Sequence, residues 1–139
     1  MTSIDMAEYQ GKTLSDYLHQ GDLRGNLMAV DCPSREVLKH LTSRWGVLVL
    51  IALQAGTHRY SDLRRKIGGV SERMLIQTLQ WLEQDGMVLR YAHPVVPPHV
   101  EYSLTPMGAE AAEKVRALAD WIETKFPHIA GAQMQRKAG

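Results

Sequence analysis

The stretch SDLRRKIGGVSERMLIQTLQWLEQDG, residues 61–86, contains two helix patterns separated by a pair of glycines. Ser61 and Ser71 stand where a side-chain oxygen can cap a helix, so we predict helices over residues 62–67 and 72–85. The glycines between them allow a tight turn, and a further glycine ends the second helix. This pattern is typical of a helix-turn-helix unit.

The second of these helices has two different faces. Leu75, Leu79 and Leu82 recur at the spacing i, i+4, i+7, which predicts a stripe buried in the core. The opposite face is mostly polar and consists of Glu72, Arg73, Ile76, Gln77, Gln80 and Glu83. We expect that face to lie at the surface.

Further elements precede the helix-turn-helix. Pro33 suits the first position of a helix because it has no N–H to leave unpaired. Residues 45–54 follow as a helix that is apolar almost all round, which indicates the central core helix. Residues 57–60 form a short segment that can add an edge strand to a sheet.

A hairpin follows the helix-turn-helix. Residues 87–91 and 100–104 are predicted strands, and three prolines make residues 92–99 a loop. The order of elements predicts a mainly α protein with a small β hairpin, a winged helix-turn-helix.

The last predicted element is a long helix. Thr105 and Pro106 suit its start, and we expect it to reach Phe126 and to end at Pro127. The residues after 132 are expected to be frayed.

The composition excludes several classes of protein. Of the 139 residues, 45% are hydrophobic and 22% are charged, which allows a packed core. No apolar run reaches the ~18–20 residues of a membrane span, and the polar N-terminus lacks the features of a signal peptide, so we expect a cytoplasmic protein. The sequence has no Gly-x-Gly-x-x-Gly, P-loop, Gly-x-Ser-x-Gly or His-Glu-x-x-His motif, so we expect no enzyme and no cofactor.

The net charge is only +1, but the charges are unevenly distributed. Residues 32–99 carry nine Lys and Arg against five Asp and Glu, whereas residues 1–31 carry two against five. The positive charge therefore lies in the helix-turn-helix region, as a module that faces DNA requires.

An ordered set of short motifs covers about residues 32–125. They include Cys32-Pro33, Arg44-Trp45, Arg59-Tyr60-Ser61-Asp62-Leu63-Arg64-Arg65, Gly69-Val70-Ser71, Asp85-Gly86 and VPPHVEYSLTPMG at 96–108. With this set the chain resembles the HxlR-type regulators, a branch of the MarR-like winged-helix superfamily. The resemblance implies a homodimer, built largely from the terminal helices, that binds a palindromic operator in double-stranded DNA, with repression as the usual outcome.

On this basis we divide the chain into three parts. These are an N-terminal extension (1–31), a DNA-binding domain with a C-terminal dimerisation helix (32–126) and a flexible tail (127–139). The extension is longer than the family usually shows, and it either enlarges the dimer interface or is disordered.

Direct readout of bases is expected from the start of the second helix of the helix-turn-helix. A recognition helix points its N-terminal residues toward the base edges, and here these are Ser71, Arg73, Met74, Gln77 and Thr78. Arg73 can read guanine and Gln77 adenine by paired hydrogen bonds. The alternatives are that Arg73 contacts a phosphate and that Gln77 faces water. In the family, charged residues are common where Thr78 stands, so the operator is expected to differ.

Six further residues are candidates for contacts with the DNA backbone. They are Ser61, Arg64, Arg65, Lys66, Arg90 and His99. The basic run on the first helix either contacts phosphates or is a solvated helix face. The serine can contribute its hydroxyl, although capping alone explains it. His99 lies at the end of the predicted wing, residues 93–99, and Arg90 lies on the strand beneath it.

Cys32 is the candidate redox sensor. It precedes a predicted helix N-terminus, which favours a thiolate; Arg35 adds to this effect and Asp31 opposes it. The resemblance implies that some members sense oxidants or electrophiles through the corresponding cysteine. With one thiol per chain, oxidation would join two subunits or attach a small thiol. The alternative is an inert buried cysteine.

Two other functions remain open. Winged helices also bind proteins, and a net charge near zero permits this. Trp45, Trp121, Tyr17 and Phe126 either line a pocket for a small aromatic effector or are core and interface aromatics.

The histidines of the predicted wing are a weak metal motif. His93 and His99 are six residues apart, and Glu101 is the only acidic residue close to them in sequence. We therefore expect no metal site.

Overall fold

The computed structural model describes residues 26–138. Within them the elements are α1 (Pro33–Thr42), α2 (Arg44–Leu53), β1 (His58–Arg59), α3 (Tyr60–Lys66), α4 (Glu72–Gln84), β2 (Val88–His93), β3 (His99–Leu104) and α5 (Pro106–Ala138). The predicted mainly α fold with a small β hairpin is confirmed. The chain divides into two compact units, residues 1–39 and residues 40–139.

The described part of the first unit consists of turns that lead into α1. The Met28 amide donates to the Asn26 side chain at 3.1 Å, and the Arg35 guanidinium donates to the Met28 carbonyl at 3.2 Å. The Arg35 amide donates to the Cys32 carbonyl at 3.0 Å, which forms the first turn of the helix. Pro33 is the first residue of α1, as predicted. The short helix suggested by residues 13–20 lies outside the described residues.

The second unit is built around α2. Ser43 caps this helix by accepting a hydrogen bond from the Gly46 amide at 3.1 Å. Val49 and Leu50 have no exposed surface, and Leu53 has 2%. The prediction of a central core helix here is confirmed, because five of the ten residues of α2 are buried, and removing apolar side chains from water stabilises the fold.

The helix-turn-helix is present as predicted, with one error. The Ser71 side chain accepts from the Met74 amide at 3.1 Å and caps α4, while Leu75, Leu79 and Leu82 are at most 1% exposed. The prediction that Ser61 caps the preceding helix is wrong. Because β1 is paired with β3 as far as Arg59, the chain enters α3 directly from the strand, and Ser61 lies inside the first turn.

The sheet has three antiparallel strands in the order β1-β3-β2. β1 pairs His58 with Tyr102, and β2 pairs with β3 from Val88↔Leu104 to His93↔His99. Both strands of the hairpin are longer than predicted, and the loop is confined to residues 94–98. The prolines stop the ladder only at their own positions, since neighbouring residues still pair their N–H and C=O groups.

Helix α5 begins as predicted and ends later. The Thr105 hydroxyl donates to the Gly86 carbonyl at 2.6 Å and accepts from the Gly108 amide at 2.9 Å, which caps the helix. The prediction that the helix ends at Pro127 is wrong, because it continues to Ala138. A proline inside a helix removes one backbone hydrogen bond, at a cost of about 3 kcal/mol. The helical turns before and after Pro127 keep their own backbone hydrogen bonds, so the helix continues through it. No helix in residues 26–138 is long and apolar enough to cross a membrane.

Candidate nucleic-acid interface

The exposed face of α4 is the surface that the sequence predicted. Glu72, Arg73, Ile76 and Gln80 are exposed, and Gln77 is half-buried. Within residues 26–138, Arg73 forms no ion pair, so its guanidinium is available to a ligand. The Ser71 cap fixes the start of the helix and therefore the direction in which these first turns project.

Two apolar residues interrupt this polar face. Met74 is 38% exposed and Ile76 is 41% exposed. Exposed apolar side chains on a recognition helix have a natural partner in the C5-methyl group of thymine. This face therefore presents the guanidinium of Arg73, the side-chain amides of Gln77 and Gln80, and the apolar side chains of Met74 and Ile76. Base edges in the major groove are bound by groups of these kinds.

The expected contact from Thr78 is ruled out by its burial. Thr78 is 1% exposed, and its hydroxyl donates to the Met74 carbonyl at 2.7 Å. Thr78 follows Leu75 by three residues and precedes Leu82 by four, so the helical spacing already placed it on the core side. Its polarity concealed this position.

The basic run of α3 is exposed and takes part in local pairs. Arg64 lies 3.8 Å from Glu72, Arg65 pairs with Asp62, and the Lys66 Nζ atom is 3.3 Å from the His58 ring. Ion pairs between exposed side chains contribute about 0–1 kcal/mol, so a phosphate can replace the carboxylates at little cost. Ser61 is exposed beside them.

A cleft of about 740 Å³ separates α4 from the sheet. Its lining residues are Arg59, Tyr60, Ser61, Glu72, Ile76, Gln80, Glu83, Arg90, Pro98, His99, Val100 and Tyr102. Burial raises the pKa of Tyr102, and the Arg90 guanidinium beside it acts in the opposite direction. Arg90 therefore lines the same cleft as residues of α4 and as His99 at the start of β3. Sequence reasoning missed Arg59, which lies on the same cleft.

Cations outnumber anions on α3, α4 and the adjoining strands. The cations are Arg59, Arg64, Arg65, Lys66, Arg73 and Arg90, against Asp62, Glu72, Glu83 and Glu101. All six cations are exposed. This surface has the positive balance that binding to the phosphate backbone requires.

The base of the wing brings together three residues whose sequence spacing is unpromising. The His93 Nε2 atom lies 2.6 Å from Glu101 Oε1, and the His93 and His99 rings stack with centroids 4.3 Å apart. The hydrogen bond from His93 lowers the pKa of Glu101. Desolvation lowers the pKa of His99, and the charge of Arg59 adds to this effect.

The remaining candidates lie elsewhere. Cys32 is buried directly before α1, in the first unit. Trp45 is half-buried, with the Arg44 guanidinium 5.4 Å from its ring centre, whereas Trp121 and Phe126 are exposed on α5. None of these aromatic residues lines the cleft beside α4. The fourth, Tyr17, lies outside the described residues.

Comparison with known proteins agrees with this architecture. The model of the HxlR-like helix-turn-helix family matches residues 40–130. YtfH of Escherichia coli (strain K12), described as an HTH-type transcriptional regulator, is 68% identical over 114 residues, which cover 82% of this chain and 90% of that protein. The solved structure of the transcriptional regulator YtfH from Salmonella typhimurium is 66% identical and has a TM-score of 0.77, covering 79% of this chain and 98% of that one.

A solved structure with lower identity carries a more specific description. The redox regulator HypR in its oxidized form is 33% identical, with a TM-score of 0.61, and covers 67% of this chain and 96% of that one. Both YtfH proteins are described as transcriptional regulators. The family model spans well over half of the residues, and the E. coli relative is matched over most of its length. The chain therefore belongs to the HxlR-like helix-turn-helix family of transcriptional regulators.

Proposed function

We propose that the protein represses transcription by binding, as a homodimer, to a palindromic operator in double-stranded DNA. The observation that carries this proposal is the exposed first half of α4, beside the exposed cations of α3. There Gln77 is half-buried, and Arg73 forms no ion pair with any residue that the structure describes. In this arrangement α4 enters the major groove, and the wing lies along the neighbouring backbone.

The two kinds of contact have different tasks. Arg73, Gln77 and Met74 read base edges, and Ser71 contributes its hydroxyl or amide at the helix start. Ser61, Arg64, Arg65 and Lys66 contact phosphates and set the position of α4. His99 does the same from the wing, and Arg90 from the strand beneath it. The cleft beside α4 gives a phosphate access to Arg59 and Arg90.

A titration of duplex DNA tests this proposal. Fluorescence anisotropy would compare a duplex from upstream of the protein's own gene with a scrambled duplex of the same length, each at two salt concentrations. We expect preference for the upstream duplex and a steep loss of affinity with salt, with a slope of about −0.9 per phosphate neutralised. Absence of binding to both duplexes at low salt would refute the proposal and favour a protein-binding winged helix.

The homodimer is supported by the apolar face of α5. Val115 is buried, and the same face continues to Leu118, Ile122 and Phe126, which are 42–53% exposed in the single chain. A continuous apolar stripe of this kind at the surface marks an interface, and a second copy supplies a matching stripe. A palindromic operator needs this two-fold symmetry, with the two α4 helices about 34 Å apart.

A redox response through Cys32 is a second proposal, which the description of HypR as a redox regulator favours. Because Cys32 is buried, an oxidant reaches its sulfur only when the start of α1 opens locally. Modification there would alter the spacing of the two α4 helices. We expect Cys32→Ser to keep DNA affinity and to lose the effect of the thiol oxidant diamide on binding. An unchanged response in Cys32→Ser would exclude this cysteine.

A further inference from the structure

The cluster at the base of the wing is arranged by the register of the hairpin. His93 is the last residue of β2 and His99 is the first of β3, and the two are direct partners across the ladder. Glu101 lies two residues farther along β3 and therefore on the same face as His99. Two imidazoles and a carboxylate thus share one face of the sheet, held by strands rather than by the loop.

The side chains are already close enough for a common ligand. One donor atom from each of His93, His99 and Glu101 lies within 4.8 Å of the other two, and all three residues are half-buried. Ligands bound to one tetrahedral Zn²⁺ at about 2.0–2.2 Å lie roughly 3.4 Å apart. The imidazoles and the carboxylate are carried on side-chain bonds that rotate, and such rotation is the movement that would bring the donor atoms to this spacing.

The donor set has a defined chemical preference. Two imidazole nitrogens and one carboxylate oxygen form a three-ligand set that suits Zn²⁺ with a water in the fourth position. Such a set also accepts Ni²⁺ and Cu²⁺, whereas Ca²⁺ and Mg²⁺ prefer all-oxygen sites. If the His93 Nε2 atom binds the ion, bonds to the ion replace the His93–Glu101 hydrogen bond, and the neutral ring carries its one proton on Nδ1.

Two neighbours affect this face. Arg59 of β1 lies opposite Glu101 of β3 in the strand register. Its positive charge disfavours the binding of a cation at this face. The Tyr91 ring meets His93 edge-on with centroids 4.5 Å apart, which restricts the orientations of the imidazole. The Arg59 side chain is exposed and can turn toward solvent.

We propose that His93, His99 and Glu101 bind one divalent transition-metal ion of the zinc class at the base of the wing. The ion joins the ends of β2 and β3 next to the 94–98 loop. This site goes beyond the proposed binding of DNA and does not depend on it, because the free protein contains all three ligands.

Zinc binding to the full chain tests this proposal. Zn²⁺ would be titrated in competition with a chromophoric chelator, in a Cys32→Ser background that removes the only thiol. We expect one Zn²⁺ per chain. We also expect a loss of affinity of at least about tenfold in each of His93→Gln, His99→Gln and Glu101→Gln, since even outer-shell changes produce such losses.

A control and a second readout separate this site from adventitious binding. His128 is an exposed histidine on α5, and His128→Gln should leave the affinity for Zn²⁺ unchanged. The imidazole NMR signals of His93 and His99 should shift at one equivalent of Zn²⁺ in a chain whose circular dichroism is unaltered. Equal affinities in the His93→Gln, His99→Gln and unsubstituted chains would overturn the proposal. So would an equal loss in His128→Gln, or no binding once Cys32 is replaced.

Discussion

At the scale of single residues, Arg73 carries the sharpest prediction about DNA. If its guanidinium reads guanine, Arg73→Ala should reduce the preference for the upstream duplex over the scrambled one by about 1–3 kcal/mol. Anisotropy titrations of both duplexes measure this difference, and Arg136→Ala near the end of α5 serves as the matched control. A similar loss on both duplexes would assign Arg73 to a phosphate instead.

Asp85 carries a prediction about stability. Its Oδ2 atom lies 2.7 Å from His40 Nδ1, both side chains are nearly buried, and the His40 ring stacks on Trp81 at 4.8 Å. Asp85→Ala removes this hydrogen bond and should lower the free energy of unfolding by about 1–3 kcal/mol, measured by urea denaturation. Gln84→Ala, at the neighbouring exposed position, should change it by less than about 0.5 kcal/mol. Equal effects of the two substitutions would contradict a stabilising role for the pair.

At the scale of elements, the start of α5 depends on a close approach of two backbones. A Cβ atom at Gly108 would lie 1.8 Å from the Met87 carbonyl oxygen, whereas one at Gly131 would meet nothing within 4 Å. Because the two backbones would have to move apart, Gly108→Ala should lower the free energy of unfolding by at least about 1–3 kcal/mol. Gly131→Ala, in the same helix, should be stabilising by roughly 0.5–1 kcal/mol. Thermal unfolding of the two variants tests this, and a neutral Gly108→Ala would refute the tight contact.

Local sequence patterns predicted some helices and strands accurately but missed the ends of others. Helices α2 and α4 were predicted within one or two residues because their apolar spacing and their caps are local features. The ends of β2, β3 and α5 were missed because proline was taken to end each element. What decides those ends is whether the neighbouring residues find hydrogen-bond partners, and this depends on a strand or a turn elsewhere in the chain.

At the scale of the whole molecule, the apolar face of α5 makes the oligomeric state testable. Leu118→Glu places a charge in the stripe that also contains Ile122 and Phe126, so it should shift the protein from dimer to monomer in sedimentation equilibrium. Affinity for the upstream duplex should fall with it, because a monomer contacts only one half-site. Thr124→Glu, on the opposite side of the helix, is the control. A dimer that survives Leu118→Glu would show that another surface joins the subunits.

The sequence by itself determined the helix-turn-helix, the buried stripe of α4, the cap at Ser71 and most of the candidate interface. These features follow from periodicity and capping, which act within a few residues. Only the tertiary structure decided that Arg59 and Arg90 lie on one cleft and that His93, His99 and Glu101 share a face of the sheet. The reason is physical, because the register of β2 and β3 places residues six or eight positions apart side by side. That register is set by backbone pairing along the whole hairpin and not by the spacing of these residues in the chain.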